Sequence, residues 1–435
     1  MTQEHQSRRR RRLTATITDL EVAVQRAFLI GVQLPGMRGE ETERSLDELT
    51  LLTDTAGSDP VDRELVRRRT IDAGTFIGSG KADELAGLTQ ALDIDVVVFD
   101  NALTPAQQRN LMRVFGCDVV DREALILDIF AQHAHSKEGA LQVELALLRY
   151  HLPRLRGKGK ALSQQAGGIG TRGPGETKLE TDRRRILSRI SKLERELVDT
   201  ARHRETQRKR RRRNRIPQVA IVGYTNAGKS TLLNALTDAG ALVEDRLFAT
   251  LDPTVRKLAL PDGAKVLLAD TVGFVRRLPH HLVEAFKSTL AEAAQSDLLL
   301  HVVDGTDPDP AGQIAAVRQV LVEIEASEVP ELLVINKMDV VETPRQSRLA
   351  NVYPEAVPIS ALRGEGLDEL LEAVAGLSSP RTVTLSLEVP YDRGDIVAAA
   401  HRLGEVTGEK HDENGTILDV RLPAAVSARF ADFSR

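Results

Sequence analysis

The chain has 435 residues, with no tryptophan, one cysteine and only 3% aromatic residues. A single thiol, Cys117, excludes an intramolecular disulfide and fits a reducing compartment. Scarce aromatics argue against base-stacking platforms, so any nucleic-acid contact would rest on backbone or shape. No apolar run approaches the roughly 20 residues that cross a bilayer, and the N-terminus is polar and then arginine-rich, without the hydrophobic stretch of a signal peptide. The expected location is cytoplasmic, in part at most peripheral to a membrane, and the expected state is monomeric. No sign of charge dominates either: 59 Lys and Arg against 63 Asp and Glu leave a net charge of −4. Attraction to nucleic acid must therefore come from local segments. Two qualify: five arginines at 8–12, and 208–215, basic at every position except Asn214. Run 8–12 reads first as a solvated tail. The second is harder to dismiss because it leads directly into the motif described next.

An apolar run, Val219-Ala220-Ile221-Val222, opens into Gly223-Tyr224-Thr225-Asn226-Ala227-Gly228-Lys229-Ser230-Thr231, the spacing G-x-x-x-x-G-K-[ST] of a phosphate-binding loop. Its glycines let successive N–H groups turn inward, Lys229 can reach the β- and γ-phosphates, and the Ser230 hydroxyl can ligate Mg²⁺ at a helix N-terminus that favours anions. Downstream, two further apolar runs end in Asp270-Thr271-Val272-Gly273 and in Asn336-Lys337-Met338-Asp339, at the carboxyl ends of expected strands, where ligands bind in open α/β sheets. Asp270 is placed to hold Mg²⁺ through water, and Gly273 to offer its N–H to a γ-phosphate. Asp339 selects the base, because its carboxylate accepts from N1–H and the 2-amino group of guanine, whereas adenine offers neither. Ser360-Ala361-Leu362 completes the base pocket. The expected ligands are thus Mg²⁺ with GTP as substrate and GDP as product.

A first switch must lie between Lys229 and Asp270, and Phe248-Ala249-Thr250-Leu251-Asp252-Pro253-Thr254 is its candidate. There Thr250, preferred over Thr254, would complete the Mg²⁺ shell. Lys229, Thr250 and Gly273 are the expected catalytic groups, and Ser230, Thr250 and Asp270 the metal ligands. Phe274 stands where many such enzymes carry a glutamine that orients the attacking water, and a phenyl ring cannot do that. Hydrolysis by the chain alone should be slow.

Other fragments are weaker. Asp54-Thr55-Ala56-Gly57 mimics the second switch but follows leucines at helical spacing, so it reads as a helix end with a glycine stop. Gly78-Ser79-Gly80-Lys81 resembles a truncated phosphate loop, yet Thr75 stands where its first glycine belongs and Ala82 where a hydroxyl is needed. His133, His135, His280 and His281 lack a third ligand at metal spacing. The stretch Gly167-Gly168-Ile169-Gly170-Thr171-Arg172-Gly173-Pro174-Gly175-Glu176-Thr177-Lys178, flanked by Arg183, Arg184 and Arg185, is read as a loop able to approach a phosphate backbone.

Along the chain, alternating strand and helix patterns over 27–134 imply a small parallel α/β domain. Expected there are strands at 27–32, 95–99 and 117–120 and helices around 46–52 and at 81–92, 105–114 and 123–134. Two leucine-patterned helices, 139–155 and 177–213, read as an antiparallel hairpin. The expected organisation is a basic disordered tail 1–20, an N-terminal α/β domain 21–134, a helical hairpin with a glycine-rich basic loop 135–215, a P-loop GTPase domain 216–379 and a small α+β domain 380–435.

Taken together, the 168–177 motif before a basic helix, the loop 223–230, the segment 248–254 and Asp270-Thr271-Val272-Gly273-Phe274 resemble the HflX family of ribosome-associated GTPases over nearly the whole chain. The arginine run 8–12 is not part of that pattern. The resemblance implies binding to the large ribosomal subunit and its rRNA, with the hairpin loop near the peptidyl-transferase region, attachment controlled by GTP, and splitting or rescue of stalled ribosomes under stress. Two rivals stay open: a GTPase of ribosome assembly, and an ATP-dependent RNA remodeller using the N-terminal domain.

Overall fold

The computed structural model describes residues 24–155, 174–213, 216–237, 247–248, 254–276, 287–378, 382–412, 415–423 and 427–434. The chain divides into two units, Met1–Leu125 and Ile126–Arg435. In the first, strands β1 (Gln25–Gln33), β2 (Ser58–Arg67), β3 (Val96–Phe99) and β4 (Asp118–Asp121) alternate with helices α1 (Gly39–Thr55), α2 (Ser79–Ala91) and α3 (Pro105–Phe115). The strand order is β2-β1-β3-β4, with every pairing parallel. Helices on the crossovers explain why β1 and β3 are near-continuous apolar runs, since a parallel sheet is covered on both faces. On one face Phe28, Ile30, Val97 and Phe99 join Ile77, Leu85 and Leu111 in the core.

Local signals set the helix ends. Thr104 and Gln107 close a capping box at the start of α3, and Gly116 ends it in the left-handed region. At the end of α1, Gly57 has φ +84°, the glycine stop expected of 54–57. One strand lay outside the expected set. β2 carries Asp59, Asp62, Arg63 and Glu64 and has a single buried residue, Val66. It sits at the sheet edge, where exposure removes the apolar alternation that marks inner strands.

Helix α4 (Arg122–His133) leads into α5 (Lys137–Arg154) and α6 (Pro174–Arg213). Leu141, Leu145, Ile190 and Leu193 form the seam between α5 and α6, extended by Leu148, Leu152, Ile186 and Leu197. Glu144 receives two hydrogen bonds from Arg189, at 2.7 and 2.6 Å, and Arg149 donates to Glu194 at 2.8 Å. Each pair joins like positions, the residue before a seam position to its counterpart and the residue after to its counterpart. Flanking positions meet like to like only when two helices run in opposite directions, so the pair is an antiparallel hairpin.

The third element is a sheet of β5 (Gln218–Gly223), β6 (Thr254–Ala259), β7 (Lys265–Asp270), β8 (Leu298–Asp304), β9 (Glu331–Asn336) and β10 (Val357–Pro358). Its order is β10-β9-β8-β5-β7-β6, antiparallel only between β6 and β7. Around it lie α7 (Lys229–Thr237), α8 (Lys287–Ala294), α9 (Pro310–Glu323), α10 (Thr343–Val352) and α11 (Leu367–Ser378). Val219, Ile221, Leu268, Leu300, Val302 and Val334 pack with Leu232, Leu233, Leu370 and Val374. Last come β11 (Thr382–Pro390), α12 (Gly394–Leu403), β12 (Glu405–His411) and β13 (Gly415–Pro423), an antiparallel sheet ordered β11-β13-β12 with α12 on its core.

Candidate functional site

The carboxyl ends of β5, β7, β8 and β9 all point to one edge of the sheet, and the motif residues collect there. β5 ends in Gly223 at φ +150°, where a Cβ would stand 2.2 Å from Val302 O; only glycine lets the chain turn this close to β8. The loop turns back through Asn226 (φ +58°) and Gly228 (φ +91°), and a Cβ on Gly228 would overlap the Asn336 amide, 2.2 Å away. That contact ties the phosphate loop to the base motif: Asn336 Nδ2 donates to Ala227 O at 2.9 Å, and Ala361 N donates to Asn336 Oδ1 at 2.9 Å. Lys229, buried at the start of α7, donates to Tyr224 O at 2.7 Å. Ser230 Oγ donates to Asp270 Oδ2 at 2.7 Å. Thr231 continues α7.

After β7 the second switch folds back along the loop. Thr271 Oγ1 donates to Ile221 O at 2.7 Å, while Thr225 N donates to Phe274 O at 2.7 Å and Phe274 N to Gly223 O at 3.1 Å. Val272 and Phe274 are buried, so the phenyl ring is turned into the interior and presents nothing to a phosphate. Gly273 lies against the loop: a Cβ there would be 2.8 Å from Thr225 Cγ2 and 2.9 Å from Lys229 Nζ.

Where the base pocket is expected, Asp339 Oδ1 accepts from Ser360 Oγ at 2.8 Å, and Met338 N donates to Ile359 O at 3.1 Å. Lys337, at φ +64°, pairs with Asp304 at 2.7 Å, and Leu362 is exposed. Phe248 is buried and has φ +58°, and its ring meets Phe130 edge-on at 4.7 Å. Ala249, Thr250 and Arg172 lie outside the described residues, as do Thr254's neighbours 249–253.

Three contributors, Asp304, Arg363 and Phe130, escaped sequence reasoning. Asp304 ends β8 and could have been found from that position alone. Arg363, whose Nε lies 3.4 Å from Asp339 Oδ2, and Phe130 belong to no motif, and within the phosphate loop the Tyr224 hydroxyl accepts from Arg276 N at 2.6 Å. The second glycine-lysine stretch is built differently from a phosphate loop: Lys81 pairs with Glu64 at 2.9 Å and Glu84 at 2.7 Å. His133 Nδ1 sits 2.8 Å from Ile129 O. Among the described residues no group of three or more His, Cys, Asp or Glu could hold a metal ion.

Burial pushes the Lys229 ammonium down to about 8, against the opposing pull of Asp270. Phosphates arriving beside it favour the charged form, so its pKa is higher with nucleotide bound than without. Its contribution to binding is then complete below the free value and is lost as the pH rises toward the bound one. GDP titrations are expected to show affinity falling as the pH is raised above about 8.

A phosphate-binding loop, a second switch strand beside it and an Asn-Lys-x-Asp base pocket, gathered at the carboxyl edge of this sheet, make the chain a P-loop GTPase. Three family models match it: "GTP-binding GTPase N-terminal" over 43–131, "GTP-binding GTPase Middle Region" over 133–211, and "50S ribosome-binding GTPase" over 218–337. It is 47% identical to the GTPase HflX of Caldanaerobacter subterraneus over 409 residues, 94% of each chain. It is 45% identical to the GTPase HflX of Escherichia coli over 381 residues, 87% of this chain and 89% of the relative. The chain belongs to the HflX family of GTPases, and it binds and hydrolyses GTP. Among solved structures it is similar to a GTP-binding protein of the archaeon Sulfolobus solfataricus in complex with GDP, at 26% identity and a TM-score of 0.44, covering 82% of this chain and 99% of that one. No helix among the described residues is long and apolar enough to cross a membrane.

Proposed function

We propose that this GTPase acts in the cytoplasm, as a monomer, on the large ribosomal subunit, where GTP controls attachment and stalled ribosomes are split or rescued. What carries the reading is the match of 218–337 to a model described as a 50S ribosome-binding GTPase, in a chain that also bears an exposed arginine triplet on the hairpin. Arg183, Arg184 and Arg185 are exposed on α6, shortly after the glycine-rich stretch. The working division is tail 1–20, α/β domain 21–134, hairpin 135–215, GTPase domain 216–379 and α+β domain 380–435. The nucleotide lies along 223–231, with Asp270 to Gly273 at its phosphates, Asn336 to Asp339 and Ser360 to Leu362 at its base, and Phe248 to Thr250 at the first switch. Ser230 Oγ and the Asp270 carboxylate, in mutual contact, are hard oxygen donors that suit Mg²⁺. They would hold the ion with Thr250, and it would neutralise phosphate charge.

Sedimentation of ribosomes with the protein and either GTP or a non-hydrolysable analogue tests the role. Conversion of whole ribosomes to subunits by the analogue-bound protein is expected; binding to free subunits or precursors alone would favour an assembly GTPase. Replacing Arg172 and Arg183 to Arg185 with alanine is expected to weaken ribosome binding and to lower its salt slope by about one for each phosphate no longer neutralised. GDP affinity should not change. Unchanged ribosome affinity and slope would move recognition to another surface.

A further inference from the structure

Phe274 leaves the attacking water without the polar side chain that usually orients it. The loop residue whose amide pairs with Phe274, Thr225, carries a hydroxyl. Thr225, the third residue of the phosphate loop, is 5% exposed, and its Oγ1 has no hydrogen-bond partner among the described residues. Its backbone N–H is already engaged, donating to Phe274 O at 2.7 Å. A buried hydroxyl without a partner costs stability, so one kept in this position points to a ligand that satisfies it.

The neighbours say which part of the ligand. A Cβ on Gly273 would lie 2.8 Å from Thr225 Cγ2 and 2.9 Å from Lys229 Nζ. Gly273 and Lys229 are the two groups that this chemistry directs at the γ-phosphate. Through its methyl the Thr225 side chain therefore adjoins the two groups directed at the γ-phosphate, and the unpartnered Oγ1 is carried on the same Cβ. By contrast, Ser230 Oγ is engaged with Asp270, and Thr271 Oγ1 with Ile221 O.

We propose that the Thr225 hydroxyl is a catalytic group of the hydrolysis, holding the attacking water. It accepts a hydrogen bond from the water and donates its own proton to a γ-phosphate oxygen. The water oxygen bonds to the γ-phosphorus as the bond from that phosphorus to the bridging oxygen breaks, and the bond's electron pair leaves with GDP. The water's proton ends on a phosphate oxygen, and Thr225 is chemically unchanged. The inference rests on the nucleotide site assigned above.

Single-turnover GTP hydrolysis and GDP affinity of the full chain test it with Thr225→Val, Thr225→Ser and Thr225→Gly. Valine keeps the branched shape and removes only the hydroxyl. It is expected to lower the rate by on the order of 10²-fold, as loss of one oriented donor does, with GDP affinity within about twofold and a Tm equal to or above the parent's, because an unsatisfied buried oxygen has gone. Serine should recover most of the lost rate. Parental turnover in Thr225→Val would overturn the proposal. So would faster turnover in Thr225→Gly, which would make the side chain an obstruction, or loss of GDP affinity in both Val and Ser variants, which would make it a packing residue of the loop. Lys229→Ala run alongside keeps the two readings apart: retained GDP affinity there would overturn the site itself, and Thr225 with it.

Discussion

Lys229→Ala is expected to lose GDP and GTP binding by about 30-fold to several thousand-fold, while the fold survives. Among the described residues Lys229 Nζ donates only to Tyr224 O, and a backbone carbonyl at a loop edge can turn to water when the side chain is removed. With nucleotide the same ammonium pairs with phosphates in a desolvated site, and truncating one partner of such a pair costs about 2–5 kcal/mol. Ser230→Ala should spare much of the affinity but abolish hydrolysis, because Asp270 loses the oxygen beside it and the proposed Mg²⁺ site loses a ligand. Isothermal titration with GDP, set against thermal melting of the same samples, separates loss of binding from loss of fold. Normal turnover in either variant would place the working site elsewhere.

Asp339→Asn should exchange guanine for xanthine specificity. Ser360 Oγ donates to Asp339 Oδ1 at 2.8 Å, and an asparagine placed there would keep its carbonyl oxygen toward that hydroxyl. Its NH₂ would then take the Oδ2 position and face the base. Against guanine this sets donor against donor at the 2-amino group, whereas xanthine carries a 2-oxo acceptor. Sites built to hydrogen-bond one partner reject an analogue that leaves their groups unpaired by as much as about 10⁴-fold. A loss of GTP affinity of at least about 10²-fold, with a gain for xanthosine triphosphate, is the expected outcome. The Arg363 guanidinium, 3.4 Å from Oδ2 and mostly exposed, is free to swing outward. Equal GTP affinity in parent and variant would remove Asp339 from the base pocket.

How much of this was legible beforehand follows the physics of each element. Strands β5, β7, β8 and β9 are covered on both faces, so they read as apolar runs, and the motifs that punctuate them are set by ligand chemistry. The hairpin was readable because its seam repeats at spacings of four and three, from Leu141 to Leu152 and from Ile186 to Leu197. β2 was not, because an edge strand with one buried residue has no periodic signal. Contacts between distant residues were equally silent. Nothing in Phe130 announces Phe248, to which it is stacked edge-on, and nothing in Arg276 announces that its amide meets the Tyr224 hydroxyl. Phe274 was legible as a missing glutamine, whereas the Thr225 hydroxyl needed the structure, which alone shows it buried and without a partner among the described residues.

The proposed function joins a GTPase that has Phe274 in place of the usual water-orienting glutamine, and so is slow by itself, to a partner, the large ribosomal subunit. GTP turnover by the full chain, measured alone and with purified large subunits, tests it most directly. Alone the protein should turn over at about 10⁻² s⁻¹ or less, as sites lacking a complete set of groups do, and large subunits should raise that rate many-fold in a saturable manner. Fast turnover without subunits, or a rate that large subunits leave unchanged, would contradict it.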